Sequence, residues 1–170
     1  MARDPHLSQA PRRRGGRARP GRGGRAALLA AGLALASAVP SALAAGWDRE
    51  ALARLAPPLR QAVEEGRRLF MEEGFGGNGR RCTSCHLEGG TRPGRLPNGR
   101  PVPALIGAAA TFPKYKARRG RVMTLADQVQ VCVAGGIQGE PPAQDSDTMR
   151  ALLSYLRFLS EGRPIRLGGS

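Results

Sequence analysis

Aromatic side chains are scarce in this 170-residue sequence: one tryptophan, two tyrosines and four phenylalanines, 4% in all. So few rings exclude a core dominated by stacked aromatics, and a compact fold then needs some other apolar body to pack on. Histidine occurs twice and cysteine three times. A structural zinc site takes four ligands, usually as two pairs at similar spacing. Cys82 and Cys85 form one such pair, but no second CxxC, HxxxH or mixed Cys/His pair completes it. The apolar run from Ala26 to Val39 falls short of the ~20 residues that a membrane-spanning helix requires. Acidic residues number 13 against 27 basic ones, a formal charge of +14.

Glycine and proline, by contrast, are plentiful at 24 and 14 residues. Much of the chain must therefore be loop and turn. Within it stands Cys82-Thr83-Ser84-Cys85-His86. Two thiols separated by two residues reach the two vinyl groups of a haem and form thioethers, and the adjacent histidine is delivered as the proximal iron ligand. A redox dithiol of the thioredoxin kind would follow a strand in a βαβ pattern. Asn78-Gly79-Arg80-Arg81, which precedes Cys82, reads as a loop. The motif predicts one covalently attached haem c, with Cys82, Cys85 and His86 as its binding residues. The macrocycle supplies the apolar surface that the sparse aromatics do not.

The charge divides unevenly in meaning. Residues 1–44 carry eight arginines and one acid, Asp4, a net +7. A basic arm of this kind could bind nucleic acid, but it leads into the apolar run, then Pro40-Ser41, then Ala42-Leu43-Ala44. A basic region, a short apolar region and a small-x-small site make a secretory signal peptide. Residues 1–44 are therefore expected to be cleaved, with export to the periplasm, no nucleic-acid partner and no stable membrane span; an uncleaved anchor is the alternative. Residues 45–170 retain the other +7, partly a candidate docking face for an acidic partner.

Residues 45–58 read as an N-terminal extension closed by Pro57-Pro58, 59–165 as the haem domain and 166–170 as a flexible tail. A helix from Leu59 to Glu73 is predicted by Leu59, Val63, Gly66 or Arg67, and Phe70 on one face, with Gly74, Gly76 and Gly77 ending it. Residues 89–107 show no sustained periodicity and should wrap the haem edge. Thr124 reads as an N-cap with Asp127 completing a capping box, and Leu125, Val129, Cys132 and Val133 as the buried stripe of the following helix, stopped by Gly135-Gly136. Ser146 or Asp147 caps the last helix, from Thr148 to Ser160, with Met149, Leu152, Leu153, Leu156 and Leu159 inward. The predicted class is mainly α: a loop-rich, cytochrome c-like single-haem domain of about three to five helices.

Cys132 is left over once the thioethers are made. It is either a buried core cysteine, a residue that pairs with another chain, or the distal iron ligand. Met123 and Met149 compete for that last role, because methionine is histidine's usual partner in electron-transfer cytochromes c. Spacing leaves the three open.

From Asn78 to Pro164 the chain resembles the N-terminal haem module of thiosulfate dehydrogenases and, more distantly, SoxA-type cytochromes of sulfur oxidation. The likeness is carried by Asn78-Gly79, Cys85-His86-Leu87 with Gly90, Phe112-Pro113-Lys114-Tyr115, Gly120-Arg121-Val122 with Thr124-Leu125, Cys132, and Ala151-Leu152-Leu153-Ser154-Tyr155-Leu156 leading to Leu159-Ser160. The resemblance implies that His86 and Cys132 are the axial pair, that the potential is low, and that Cys132 is the residue at which any catalysis would occur. The chain departs from the family where Val133-Ala134-Gly135-Gly136-Ile137-Gln138-Gly139 replaces a segment containing Arg and Ser, and where Gln128 replaces a basic residue. Arg95, Arg100, Lys116, Arg118 and Arg119 are the candidates to hold a small anion instead.

These readings give an exported monohaem c-type cytochrome that passes electrons to a redox partner protein and is linked to sulfur-compound oxidation. The alternatives are a thiosulfate dehydrogenase-type enzyme or its haem-bearing subunit, binding thiosulfate or another small anion, and a haem-based sensor or accessory subunit.

Overall fold

The computed structural model describes residues 47–169; the expected signal peptide lies outside the described residues. Among the described residues four α-helices carry the architecture: α1 (Arg49–Arg54), α2 (Pro57–Glu72), α3 (Leu125–Cys132) and α4 (Asp147–Phe158). Two short antiparallel hairpins lie between α2 and α3, β1 (Gly94–Arg95) with β2 (Pro101–Val102) and β3 (Lys114–Lys116) with β4 (Arg121–Met123). The mainly α class is as the sequence predicts.

Pro57-Pro58 closes one helix and opens the next. Both prolines occupy the first turn of α2, where a missing N–H costs nothing and the fixed φ suits the helix. Asp48 caps α1 by accepting from the Glu50 and Ala51 N–H groups, both at 2.9 Å. Ala51 and Leu52 are buried, and Trp47 packs beside them, its ring edge-on to Phe158 at 5.7 Å. The extension before Pro57 is thus tied to the core.

That core is the crossing of α2 and α4. Val63, Gly66, Leu69 and Phe70 face Ala151, Leu152, Tyr155 and Leu156. Gly66 sets the approach: a β-carbon there would overlap the Ala151 carbonyl and lie 2.8 Å from the Tyr155 Cβ. Met149 is fully buried on α4, whereas Leu153, expected inward, is half-buried. Ser146 caps α4 by accepting from the Met149 N–H at 3.1 Å.

Tyr155 joins this crossing to the loop after the CxxCH motif, its hydroxyl donating to the Gly89 carbonyl at 2.6 Å in a buried site. Gly89 has φ +67°, a conformation glycine adopts freely. Tyr155→Phe should leave the Gly89 carbonyl buried and unpaired, a loss of about 1–3 kcal/mol. Urea unfolding of the holoprotein measures it, and an unchanged midpoint would show that the bond contributes nothing.

Residues 166–169 run back along 110–114. The Arg166 N–H donates to the Ala110 carbonyl at 2.9 Å and the Gly168 N–H to the Thr111 carbonyl at 3.1 Å. Lys114 Nζ reaches the Gly169 carbonyl at 2.7 Å.

Candidate functional site

Cys82–Ser84 form a single 3₁₀ turn shortly after α2. The Arg81 N–H donates to Ser84 Oγ at 3.0 Å, and the Arg81 guanidinium donates to the Glu72 carbonyl at 2.7 Å, satisfying an end group of α2. The Cys85 and His86 N–H groups both return to the Cys82 carbonyl. This tight turn sets Cys82, Cys85 and His86 on one wall of a cavity of about 890 Å³. Gly94 passes so close that a side chain there would overlap the Cys85 carbonyl.

His86 Nδ1 lies 3.1 Å from the Pro103 carbonyl. A carbonyl only accepts, so Nδ1 carries the proton and Nε2 keeps its lone pair. Burial holds the imidazole below its ordinary pKa, against the opposing Pro103 hydrogen bond, and so favours the neutral ring, the form that ligates a metal. Burial also pushes the Cys82 thiol up to about 12, with the nearby Cys132 and Cys85 adding to the rise.

Cys132 ends α3 and lines the same cavity. The predicted cap is present: Thr124 Oγ1 accepts from the Asp127 N–H at 3.1 Å, and Asp127 accepts from the Thr124 N–H at 2.8 Å. The helix does not stop at Gly135-Gly136 but widens into a π-turn over Val133–Ile137, with Val133 and Ile137 buried. Cys132 itself is exposed rather than on a buried face: the stripe of Leu125, Val129 and Cys132 looks onto the cavity. Gln128 Nε2 donates to Cys132 Sγ at 3.4 Å. Although Cys132 is open to the cavity, the protein crowded around its sulfur desolvates the thiolate and raises the thiol's pKa, which the Gln128 bond and the Lys116 charge oppose and the nearby Cys85 reinforces.

Met123 and Met149 are 1% and 0% exposed, and neither is on the cavity wall. Of the three competing sulfurs, only Cys132 looks onto the space flanked by the CxxCH turn.

A clamp missed in the sequence registers the two walls. The Asn78 N–H donates to the Ile137 carbonyl at 2.9 Å, its side-chain amide reaches Gln138 Oε1 at 3.1 Å, and the Glu140 N–H donates to the Phe75 carbonyl at 2.8 Å. Gly77 and Gly139 permit this, since side chains there would overlap the Ile137 and Phe75 carbonyls. Pairings between residues some sixty positions apart leave no periodic signal.

Leu105, Ile106, Leu125, Val129, Leu152 and Leu156 make the cavity largely apolar. Among the described residues no group of three or more His, Cys, Asp or Glu could hold a bare metal ion. The arrangement therefore fits a flat apolar macrocycle: apolar walls for its faces, two thiols at its edge, and an imidazole nitrogen and a sulfur for its metal. Of the candidate anion-holding residues, Arg100, Lys116 and Arg119 line the cavity, joined by Lys114; Arg95 and Arg118 do not.

Fold and site define a cytochrome c domain, which implies haem c as cofactor and redox proteins as partners. More narrowly, residues 65–165 match the sequence model of the SoxA/TsdA cytochrome c domain, and the chain belongs to that family. It is 35% identical over 109 residues to a thiosulfate dehydrogenase of Stutzerimonas stutzeri, covering 61% of this chain and 33% of that protein. Against the SoxA subunit of an L-cysteine S-thiosulfotransferase of Pseudaminobacter salicylatoxidans the identity is 28% over 129 residues, covering 72% and 41%. The thiosulfate dehydrogenase TsdBA of Marichromatium purpuratum superposes with a TM-score of 0.55 at 28% identity, covering 71% of this chain and 26% of that one. The chain spans about a third of the first of these relatives.

Proposed function

We propose that this chain is an exported single-haem electron-transfer module linked to thiosulfate oxidation. In this reading haem c is attached through Cys82 and Cys85 and held between His86 and Cys132. The observation that carries it is the placement of Cys132, and of neither candidate methionine, on the cavity that the CxxCH turn lines. Haem supplies reversible one-electron chemistry at iron. The chain's own part is to fix the His86 tautomer through Pro103, to hold the Cys132 sulfur with Gln128, and to keep water off both faces with its leucines and valines. An anionic sulfur ligand favours the ferric state, so the potential should be low. Residues 1–44 serve as the export signal in this reading.

The cationic side chains on the cavity wall favour a second reading, in which the same module oxidises thiosulfate itself. Lys116 is within electrostatic reach of the Cys132 sulfur, and Arg100, Lys114 and Arg119 share the wall. Joining two thiosulfate dianions through one new S–S bond releases two electrons. Each tetrathionate thus needs two one-electron turnovers of a single haem, with the partner protein as oxidant.

Mixing the oxidised holoprotein with thiosulfate, without mediator, separates the readings. The electron-transfer reading expects no direct reduction together with fast exchange with other cytochromes. Reduction by the wild type and not by Cys132→Ala would instead identify an enzyme. Failure to exchange electrons with any cytochrome would remove both.

A further inference from the structure

We propose that the β3–β4 hairpin is the docking surface for an acidic redox protein, which covers its exposed apolar pair and takes up the electron at the adjoining cavity edge. The inference rests on the electron-transfer reading above and names the surface through which it operates.

The hairpin's two faces do different things. Tyr115 pairs with Val122 across the strands, and both point outward, 64% and 61% exposed. Their neighbours lie on the opposite face, where Met123 is buried and Lys114 and Lys116 line the cavity. The outer face offers an aromatic–aliphatic patch that no other part of the described chain covers. Tyrosine and arginine are the residues enriched where interfaces bury surface.

Charge specifies the partner. From Lys114 to Arg121 the chain carries five basic residues and no acid. Lys116 stands directly opposite Arg121, a like-charge cross-strand pair that works against the hairpin. Arg121 has Asp127 at 3.5 Å, an ion pair in which the Arg121 side chain is exposed and the Asp127 carboxylate mostly covered. Arg118 and Arg119 project at the turn, which closes at Gly120 with φ +64°. An acidic surface laid over the outer face meets Arg118 and Arg119 at the turn, and this charge complementarity steers encounter. A patch of this size suits a transient redox contact, which buries less than about 1,200 Å².

The inner residues place the electron's exit beneath this patch. Lys114, Lys116 and Arg119 belong both to the hairpin and to the cavity wall, so a partner seated here is held against the edge of the proposed haem site. Tyr115 and Arg118 lie off that wall and can be changed without touching it.

The test is stopped-flow oxidation of the reduced holoprotein by a strongly acidic small cytochrome c, over a series of ionic strengths, with a neutral benzoquinone as control oxidant. The wild-type rate should fall at least about tenfold from low to physiological salt, as expected for steered encounter. Arg118→Glu should lower the low-salt rate about tenfold, and Tyr115→Ser should lower it at every salt concentration. Oxidation by the quinone should be the same in all three. Unchanged protein-to-protein rates in both variants, with normal quinone oxidation, would overturn the docking surface and leave the electron-transfer reading standing. A wild type that neither oxidant reoxidises would sink that reading itself. A dimer that Tyr115→Ser dissolves, or binding to anionic phospholipid vesicles that Arg118→Glu abolishes, would assign the surface to a second copy or to a membrane and overturn the proposal.

Discussion

Cys132→Ala should convert the oxidised protein from low-spin to high-spin and raise its reduction potential. On the proposed site, in which His86 and Cys132 would hold the haem, the iron would lose its sulfur donor, and neither methionine stands ready to replace it. Gln128, which loses its Cys132 Sγ partner in the variant, offers only a neutral amide, and an ammonium has no lone pair to offer iron. Met123 and Met149 are packed away from the cavity, in β4 and on the buried face of α4. Bringing either across would empty a core site, at a cost of several kcal/mol. Water is therefore the expected replacement, and water leaves ferric haem high-spin. The potential should rise because the proposed anionic donor, which would stabilise the ferric state, has gone. Absorption spectroscopy and a redox titration of the variant read both effects, and a spectrum identical to the wild type would rule Cys132 out as a ligand.

Gly66→Ala should lower the stability of the holoprotein by about 3 kcal/mol or more, near the upper end for overpacked cores. Helix propensity alone predicts the opposite, since alanine in a helix interior is favoured over glycine by about 1 kcal/mol. The steric term wins because of what the new methyl meets. It would overlap the Ala151 carbonyl, which is helix backbone and cannot rotate aside as a side-chain end would. α2 and α4 must then separate, and with them Phe70, Leu152 and Leu156, which line the cavity. Loosened haem packing should accompany the lost stability. Guanidinium unfolding followed at the haem absorption band measures the change; equal or greater stability would mean that the two helices can part without penalty.

Much of this architecture is legible in the sequence because short-range chemistry dictates it. The Thr124–Asp127 capping box, the Ser146 cap and the apolar faces of α2 and α4 follow from local patterns that tertiary packing reinforces. The CxxCH turn is legible for a different reason: its spacing has few other uses. Less readable were features set by contacts between distant segments. Gly135-Gly136 reads as a helix stop, yet the clamp from Asn78 to Gly136, Ile137 and Gln138 holds that segment in a π-turn. Pro103 as the acceptor for His86 lies in a stretch with no periodicity, so no pattern singles it out. Which of Cys132, Met123 and Met149 looks onto the cavity is likewise set by long-range packing: the two methionines are buried away from it, and Cys132 is on its wall.

The most direct test of the proposed site is the near-infrared spectrum of the oxidised wild-type holoprotein, recorded with its electron paramagnetic resonance. A Cys132-ligated haem predicts a low-spin ferric centre with the charge-transfer transition of a thiolate donor trans to imidazole. The methionine-to-iron band of a histidine/methionine cytochrome, or a high-spin centre in the unmodified protein, would contradict it.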